Sequence, residues 1–259
     1  MYILGTTRSG TSAIRNALAQ TRYKGYGEGH LINILNGVLQ TVRHNSIEHS
    51  GLALGGNGMS ALKPNVLLRH FFHAYERYLS EEIGSRFLLD KTPNILPIIS
   101  APDLAAFHQN AKFIYCSRRH VDNLQSKRQK FSDQSFTNQC NEWAECSRTW
   151  ERVRPQLGDY YTAFDYIDLI SNREATCKKI GSLLGLDEDE IGKMVSYLTS
   201  ERPQTSNRDR ELDRFIRFAD VDWPENDKEV FLRICAPIGE TLGYGLETYY
   251  ASDGIRELR

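Results

Sequence analysis

The chain of 259 residues contains no apolar run of about 18 residues, so no segment is expected to cross a membrane as a helix. It also has almost no net charge, because 32 Lys and Arg stand against 33 Asp and Glu. That balance excludes a global pull toward nucleic acid or an anionic membrane, and any anion must be met by local clusters. Cysteine is sparse: the five residues are odd in number and include no C-x-x-C pair. Cys140 and Cys146 lack a second pair at zinc-ligand spacing. All five read as reduced thiols, which points to a reducing, cytoplasmic compartment. The residues after Met1 already look like a core strand, so no signal or transit peptide is expected. There is no internal repeat and no low-complexity tract. What remains is an ordinary globular composition, 40% hydrophobic and 25% charged, on a length that can bury a full core without staples. It is read as one domain over residues 1–259.

Four short apolar runs read as strands: Tyr2 to Gly5, Arg86 to Asp90, Ala111 to Cys116, and "YYTAF" at Tyr160 to Phe164. Helical periodicity occupies most of the chain between and after them. It covers Gly10 to Gln20, His30 to Val42, Lys63 to Glu82, a stretch through Lys130, and a helix carrying Phe136, Cys140, Trp143, Trp150 and Val153 that Pro155 stops. Arg173 to Leu184, Asp187 to Leu198 and Lys228 to Leu242 follow the same rule. The acidic run Asp187 to Glu190 suits a helix N-terminus. Arg43 to Ser60 is glycine-rich and polar, long for a loop in a compact domain, and such loops are usually functional. Strands alternating with helices predict an α/β fold, a parallel sheet flanked by helices on both faces.

In such sheets ligands sit beyond the carboxyl ends of the strands. Three segments meet there: "GTTRSGTS" (Gly5 to Ser12), Asp90 to Pro93, and Ser117 to Arg119. The first is a strand, a glycine-bearing loop and a helix. Gly5, Gly10 and Ser12 match the spacing of a nucleoside-triphosphate loop, but Thr11 stands where that loop carries lysine, and a cation comes early, at Arg8. A helix N-terminus offers free N–H groups, Gly10 lets the backbone approach closely, Ser9, Thr11 and Ser12 add hydroxyls, and Arg8 adds a two-pronged charge. The alternative is a tight turn with a capping serine. A second anion grip is available at Arg118, just after the third strand, with Ser126 eight residues on and near the same helix face. Its alternative is a solvated basic face.

Together these segments resemble the sulfotransferases that use 3′-phosphoadenosine 5′-phosphosulfate (PAPS). "GTTRSGTS" is similar to their 5′-phosphosulfate loop, and "AKFIYCSRRHVDNLQS" to their 3′-phosphate motif, whose arginine and serine fall on Arg118 and Ser126. Arg119-His120 stands where that family often has Asn-Pro. "DYIDLISNREATCKKIGSLLGL" resembles the family's acidic strand end and following helix. The resemblance spans most of the first 190 residues. It implies a P-loop, nucleotide-kinase-like fold, PAPS as sulfuryl donor with the bisphosphate PAP as product, and no metal requirement. A transferring sulfuryl group carries less charge than a phosphoryl group. Arg8, Lys91 and backbone N–H groups could therefore stabilise it without Mg²⁺.

An attacking hydroxyl or amine must lose a proton, and Glu28 and His30, on the glycine-broken turn after the first helix, are the candidate bases. Related carbohydrate and protein-tyrosine sulfotransferases place a catalytic glutamate in this region, which favours Glu28. The small-molecule branch uses a histidine after Lys-Thr, but here Pro93 follows Lys91-Thr92. Lys91, ending a buried strand, would neutralise the leaving phosphate; its structural alternative is an ion pair with Asp90. Arg202 and Arg208 stand in a late basic segment without the family's glycine-rich signature. His44 and His49 lack a carboxylate or cysteine partner at useful spacing for a metal. The acceptor is left open among small molecules, carbohydrates, lipids and peptides, and so is the oligomeric state. Two rival readings stand beside this one. One is a P-loop kinase or NTPase using Mg-ATP, with Asp90 as its acidic residue; the other is a non-catalytic nucleotide-binding module.

Overall fold

The computed structural model describes residues 1–48, 63–108, 110–200 and 215–251. The stretch 49–62, with His49, and the stretch 201–214, with Arg202 and Arg208, lie outside the described residues. Four strands form one parallel sheet: β1 (Tyr2–Gly5), β2 (Asp90–Lys91), β3 (Phe113–Ser117) and β4 (Tyr161–Asp165), in the order β2-β1-β3-β4. After β2 the chain crosses to the far side of β1, so the carboxyl end of β1 lies where the winding reverses. Crevices form at that point in open α/β sheets.

Side chains alternate across the strands, as the pleat requires. Leu4, Phe113 and Tyr115 point into a core shared with α2 (Leu31–Glu48), α3 (Pro64–Ile83), α4 (Ile95–Phe107) and α6 (Phe136–Val153). Ile3, Ile114, Cys116 and Phe164 point into the opposite core, built with α1 (Thr11–Leu18), α8 (Arg173–Leu184) and α9 (Glu188–Ser200). Both faces are therefore apolar, which is why these strands read as continuous hydrophobic runs. A third cluster joins α5 (His120–Lys130) and α6 to α10 (Glu225–Ile234) and α11 (Ala236–Thr241). The short helix α7 (Tyr166–Ser171) follows β4 directly.

The expected elements need four corrections. The second strand is only Asp90–Lys91, because the preceding run pairs elsewhere: Lys24 donates to Phe87 O and receives from Leu89 N. Helix α2 runs to Glu48, so the first part of the expected long loop is helical. Helix α4 was not foreseen, since Pro97 and Pro102 disguise a segment that buries six of its residues. The expected last helix is two, broken at Cys235, because Pro237 has no N–H to continue the ladder. No helix among the described residues is long and apolar enough to cross a membrane, and all five cysteines are free and buried.

Candidate functional site

The site begins where β1 ends. Gly5 has φ 139°, and a Cβ there would lie 2.4 Å from the carbonyl oxygen of Cys116 on β3, so only glycine lets the two strands run this close. The loop then turns through Arg8 (φ 66°) and Gly10 (φ 88°), both in the left-handed region, and α1 starts at Thr11 with no side-chain cap. The first-turn amides of α1 are left without helical partners and face the crevice end of the sheet.

The loop is held from below by α5. Asn123 Nδ2 reaches Thr6 Oγ1 at 3.1 Å, Thr7 O at 2.9 Å and Ser9 Oγ at 3.0 Å. Thr6 and Ser9 share a hydroxyl–hydroxyl bond of 2.6 Å. The Ser9 hydroxyl is thus committed to the loop's internal bonding and wholly buried, which leaves its backbone as the group that can meet a ligand. Asn123 carried no sequence signal as a site residue, because a helical asparagine is unremarkable until the loop is seen to lie on it.

Arg8 and the second grip are adjacent, closer than their separation in sequence suggested. Arg8 Nε donates to Ser126 Oγ at 2.9 Å, and Arg118 Nη1 donates to Arg8 O at 3.0 Å. The Arg118 guanidinium lies over the Tyr166 ring, 4.3 Å from its centroid. Its Nε is buried without a hydrogen-bond partner. Tyr166 also packs against Gly10, where a Cβ would come within 2.9 Å of Cδ2. One ring therefore supports both the loop and Arg118. An orphaned guanidinium N–H beside a glycine-cradled helix start fits an anionic group.

The turn Tyr23 to His30 returns to the same crevice. Lys91 Nζ forms a short ion pair with Glu28 and donates to Ser12 Oγ at 3.1 Å. Its side chain is 3% exposed against 52% for Glu28, so the ammonium is inside the site and the carboxylate on its open side. His30 Nε2 lies 4.0 Å from Glu28 Oε2, at the outer rim. Lys91 does not pair with Asp90. Burial pushes the Asp90 carboxyl up, opposed by the backbone N–H groups of Ile32 and Leu31. Asp90 Oδ1 lies against Gly29, where a Cβ would come within 2.5 Å of it, so Asp90 faces the turn that carries Glu28.

Arg119, where the resemblance expected asparagine, is wholly buried and serves the C-terminal segment. It pairs with Asp122 at 2.6 Å, donates to the carbonyls of Ile216, Gly245 and Thr248, and lies over the rings of Phe215 and Tyr249, 5.1 and 5.4 Å from their centroids. Among the described residues no group of three or more His, Cys, Asp or Glu is placed to hold a metal ion.

The first loop, the second strand end and the third strand end of this parallel α/β sheet converge on one crevice, the layout of a P-loop-like fold. The sulfotransferase family model matches residues 1–190, and the chain belongs to that family. Two solved structures share the fold. The sulfotransferase domain of the olefin synthase from Synechococcus PCC 7002 is 20% identical with a TM-score of 0.55, covering 95% of this chain and 94% of that one. Sulfotransferase STF9 from Mycobacterium avium is 13% identical with a TM-score of 0.57, covering 96% and 78%. No curated protein matches the sequence.

Proposed function

We propose that the protein transfers a sulfuryl group from PAPS to a hydroxyl or amine acceptor, with Glu28 as general base. The observation that carries this reading is the joining of two anion grips through Arg8, with Lys91 and Glu28 beside the first of them. When bound, PAPS supplies an activated sulfuryl group on a phosphate leaving group. The loop amides after Gly10 and the Thr11 and Ser12 hydroxyls receive the 5′ end, and Arg118 with Ser126 receives the 3′-phosphate. Arg8 stands between them and can serve either. Lys91, buried and within reach of Ser12, neutralises the leaving oxygen; to do so its ammonium turns from Glu28. The freed carboxylate, on the open side, takes the proton from the acceptor. His30 is the alternative acceptor of that proton. A reducing, cytoplasmic setting is consistent with five free thiols.

The test is thermal unfolding with adenosine 3′,5′-bisphosphate, against ADP and ATP with and without Mg²⁺. A ligand at a hundredfold its Kd adds about 2.7 kcal/mol, a shift of several degrees for a chain of this size. A metal-independent shift with the bisphosphate, much larger than with ADP, is expected. A shift with Mg-ATP and none with the bisphosphate would replace this reading with a kinase one.

A further inference from the structure

At Thr7 the loop meets a second charged pair. Glu142, from α6, accepts from Thr7 Oγ1 at 3.0 Å and from Thr7 N at 3.4 Å. A carboxylate placed directly on an anion-binding loop should oppose its function. The same carboxylate is met from behind by Lys127 of α5, whose Nζ lies 3.0 Å from Glu142 Oε2. Lys127 is 0% exposed, among the largest wholly buried side chains. Its ammonium makes no well-aligned hydrogen bond, so its contact with Glu142 is one of charge. Burying an ammonium is costly unless a counter-charge meets it. Lys127 directly follows Ser126, so consecutive residues of α5 address the Arg8 side and the Thr7 side of one loop.

We propose that Lys127 and Glu142 are positioning residues that set the charge of the donor loop. Glu142 fixes Thr7, and Lys127 cancels the charge that this fixing brings to the loop. The inference rests on the nucleotide reading of the loop given above. The loop's own cations, Arg8 and Lys91, then meet the ligand without the opposing charge of Glu142. Glutamine at 142 can still accept from the Thr7 hydroxyl, so charge and hydrogen bonding are separable.

The experiment is calorimetric titration of adenosine 3′,5′-bisphosphate into the wild type, Glu142→Gln, Lys127→Met and the double variant, at low and high salt. Lys127→Met is expected to bind roughly tenfold more weakly, because it leaves the carboxylate uncompensated. Glu142→Gln should bind more tightly than the wild type, because it leaves the Lys127 cation uncompensated beside the loop, and the double variant should return close to wild type. The differences should shrink in high salt. Equal weakening in both single variants would make the pair a structural brace only and overturn the proposal, as would no change in either. If Lys127→Met does not fold, the comparison of Glu142→Gln with the double variant decides, and if Glu142→Gln does not fold because it strands the buried ammonium, the comparison of Lys127→Met with the double variant decides: equal affinities within the pair compared refute the charge effect. A wild type that binds no bisphosphate would instead overturn the nucleotide reading, a distinct outcome.

Discussion

Lys91 and Glu28, 63 residues apart in sequence, form an ion pair in which the cation is buried and the carboxylate is half exposed. This asymmetry orders the chemistry, with the cation beside the anion loop and the base facing an incoming acceptor. Glu28→Gln should lower kcat by about 10²- to 10⁴-fold, the usual contribution of a general base, with bisphosphate affinity nearly unchanged. His30→Ala should cost much less. Steady-state sulfuryl transfer with both variants checks this, and a larger loss at His30 than at Glu28 would exchange their roles.

Lys91→Met tests the other half of the pair. Because Glu28 is half solvated, removing its partner strands no buried anion, and the variant should fold. Its kcat should fall by about 10²- to 10³-fold, as for loss of one preorganised charge at a developing oxyanion. Measuring kcat at saturating donor isolates this from binding. A change confined to KM would mean that Lys91 only holds the ground state.

Arg118 and Ser126 should be responsible for telling a 3′-phosphorylated nucleotide from ADP. Arg118→Gln is expected to lose about 1.5–3 kcal/mol of bisphosphate binding, the range for hydrogen bonds to charged groups, while ADP binding changes little. Ser126→Ala should act in the same direction, more weakly. Parallel titrations of the two nucleotides read the discrimination directly. Equal weakening of both would mean that Arg118 acts only on the loop, through its bond to Arg8 O.

Gly10 combines a left-handed backbone with contact against Tyr166, the ring that also carries Arg118. Gly10→Ala should cost about 1–2 kcal/mol from the backbone alone, and should weaken bisphosphate binding as the ring is displaced. Gly27, where a Cβ would meet nothing within 4 Å, is the control and should tolerate alanine. Melting temperatures and bisphosphate titration of both variants test the contrast.

The parts of this protein that were legible in the sequence are those fixed locally. Ile3 and Leu4, and Phe113 to Cys116, are apolar on both faces, and that is the signature of a covered parallel strand. The loop, Arg118 and Ser126 each follow a strand end, so the rule about carboxyl ends gathered them before their contacts were known. Helix α4 was hidden because its two prolines and all-round apolar character break the periodic pattern. Lys127 and Glu142 were invisible for another reason. Each is an ordinary charged residue on a helix, and only the packing of α5 on α6 beneath Thr7 gives them a joint meaning.

Two buried groups near the C-terminal segment give the protein an acid response with opposing parts. His120 is packed among Trp143, Phe231 and Tyr244, and burial lowers its pKa to about 3 from 6.5. Between those values the unfolded chain binds a proton that the native state refuses, so this contribution to stability is full above pH 6.5 and lost as pH falls toward 3. Asp165, at the end of β4, accepts from Tyr244 and Tyr249, yet burial raises its pKa to about 6 from 3.8. Here the native state keeps a proton that the unfolded chain releases, so stability from this group rises as pH falls through that window. The two slopes oppose each other between about pH 4 and 6, each limited to about 1.4 kcal/mol per pH unit. His120→Leu should therefore become relatively more stable than the wild type as pH falls from 6 to 4. Asp165→Asn should lose stability in acid more steeply than the wild type. Urea unfolding of the three proteins across pH 4 to 7 measures both slopes. A His120→Leu curve parallel to the wild type throughout would show that His120 takes up no proton on unfolding.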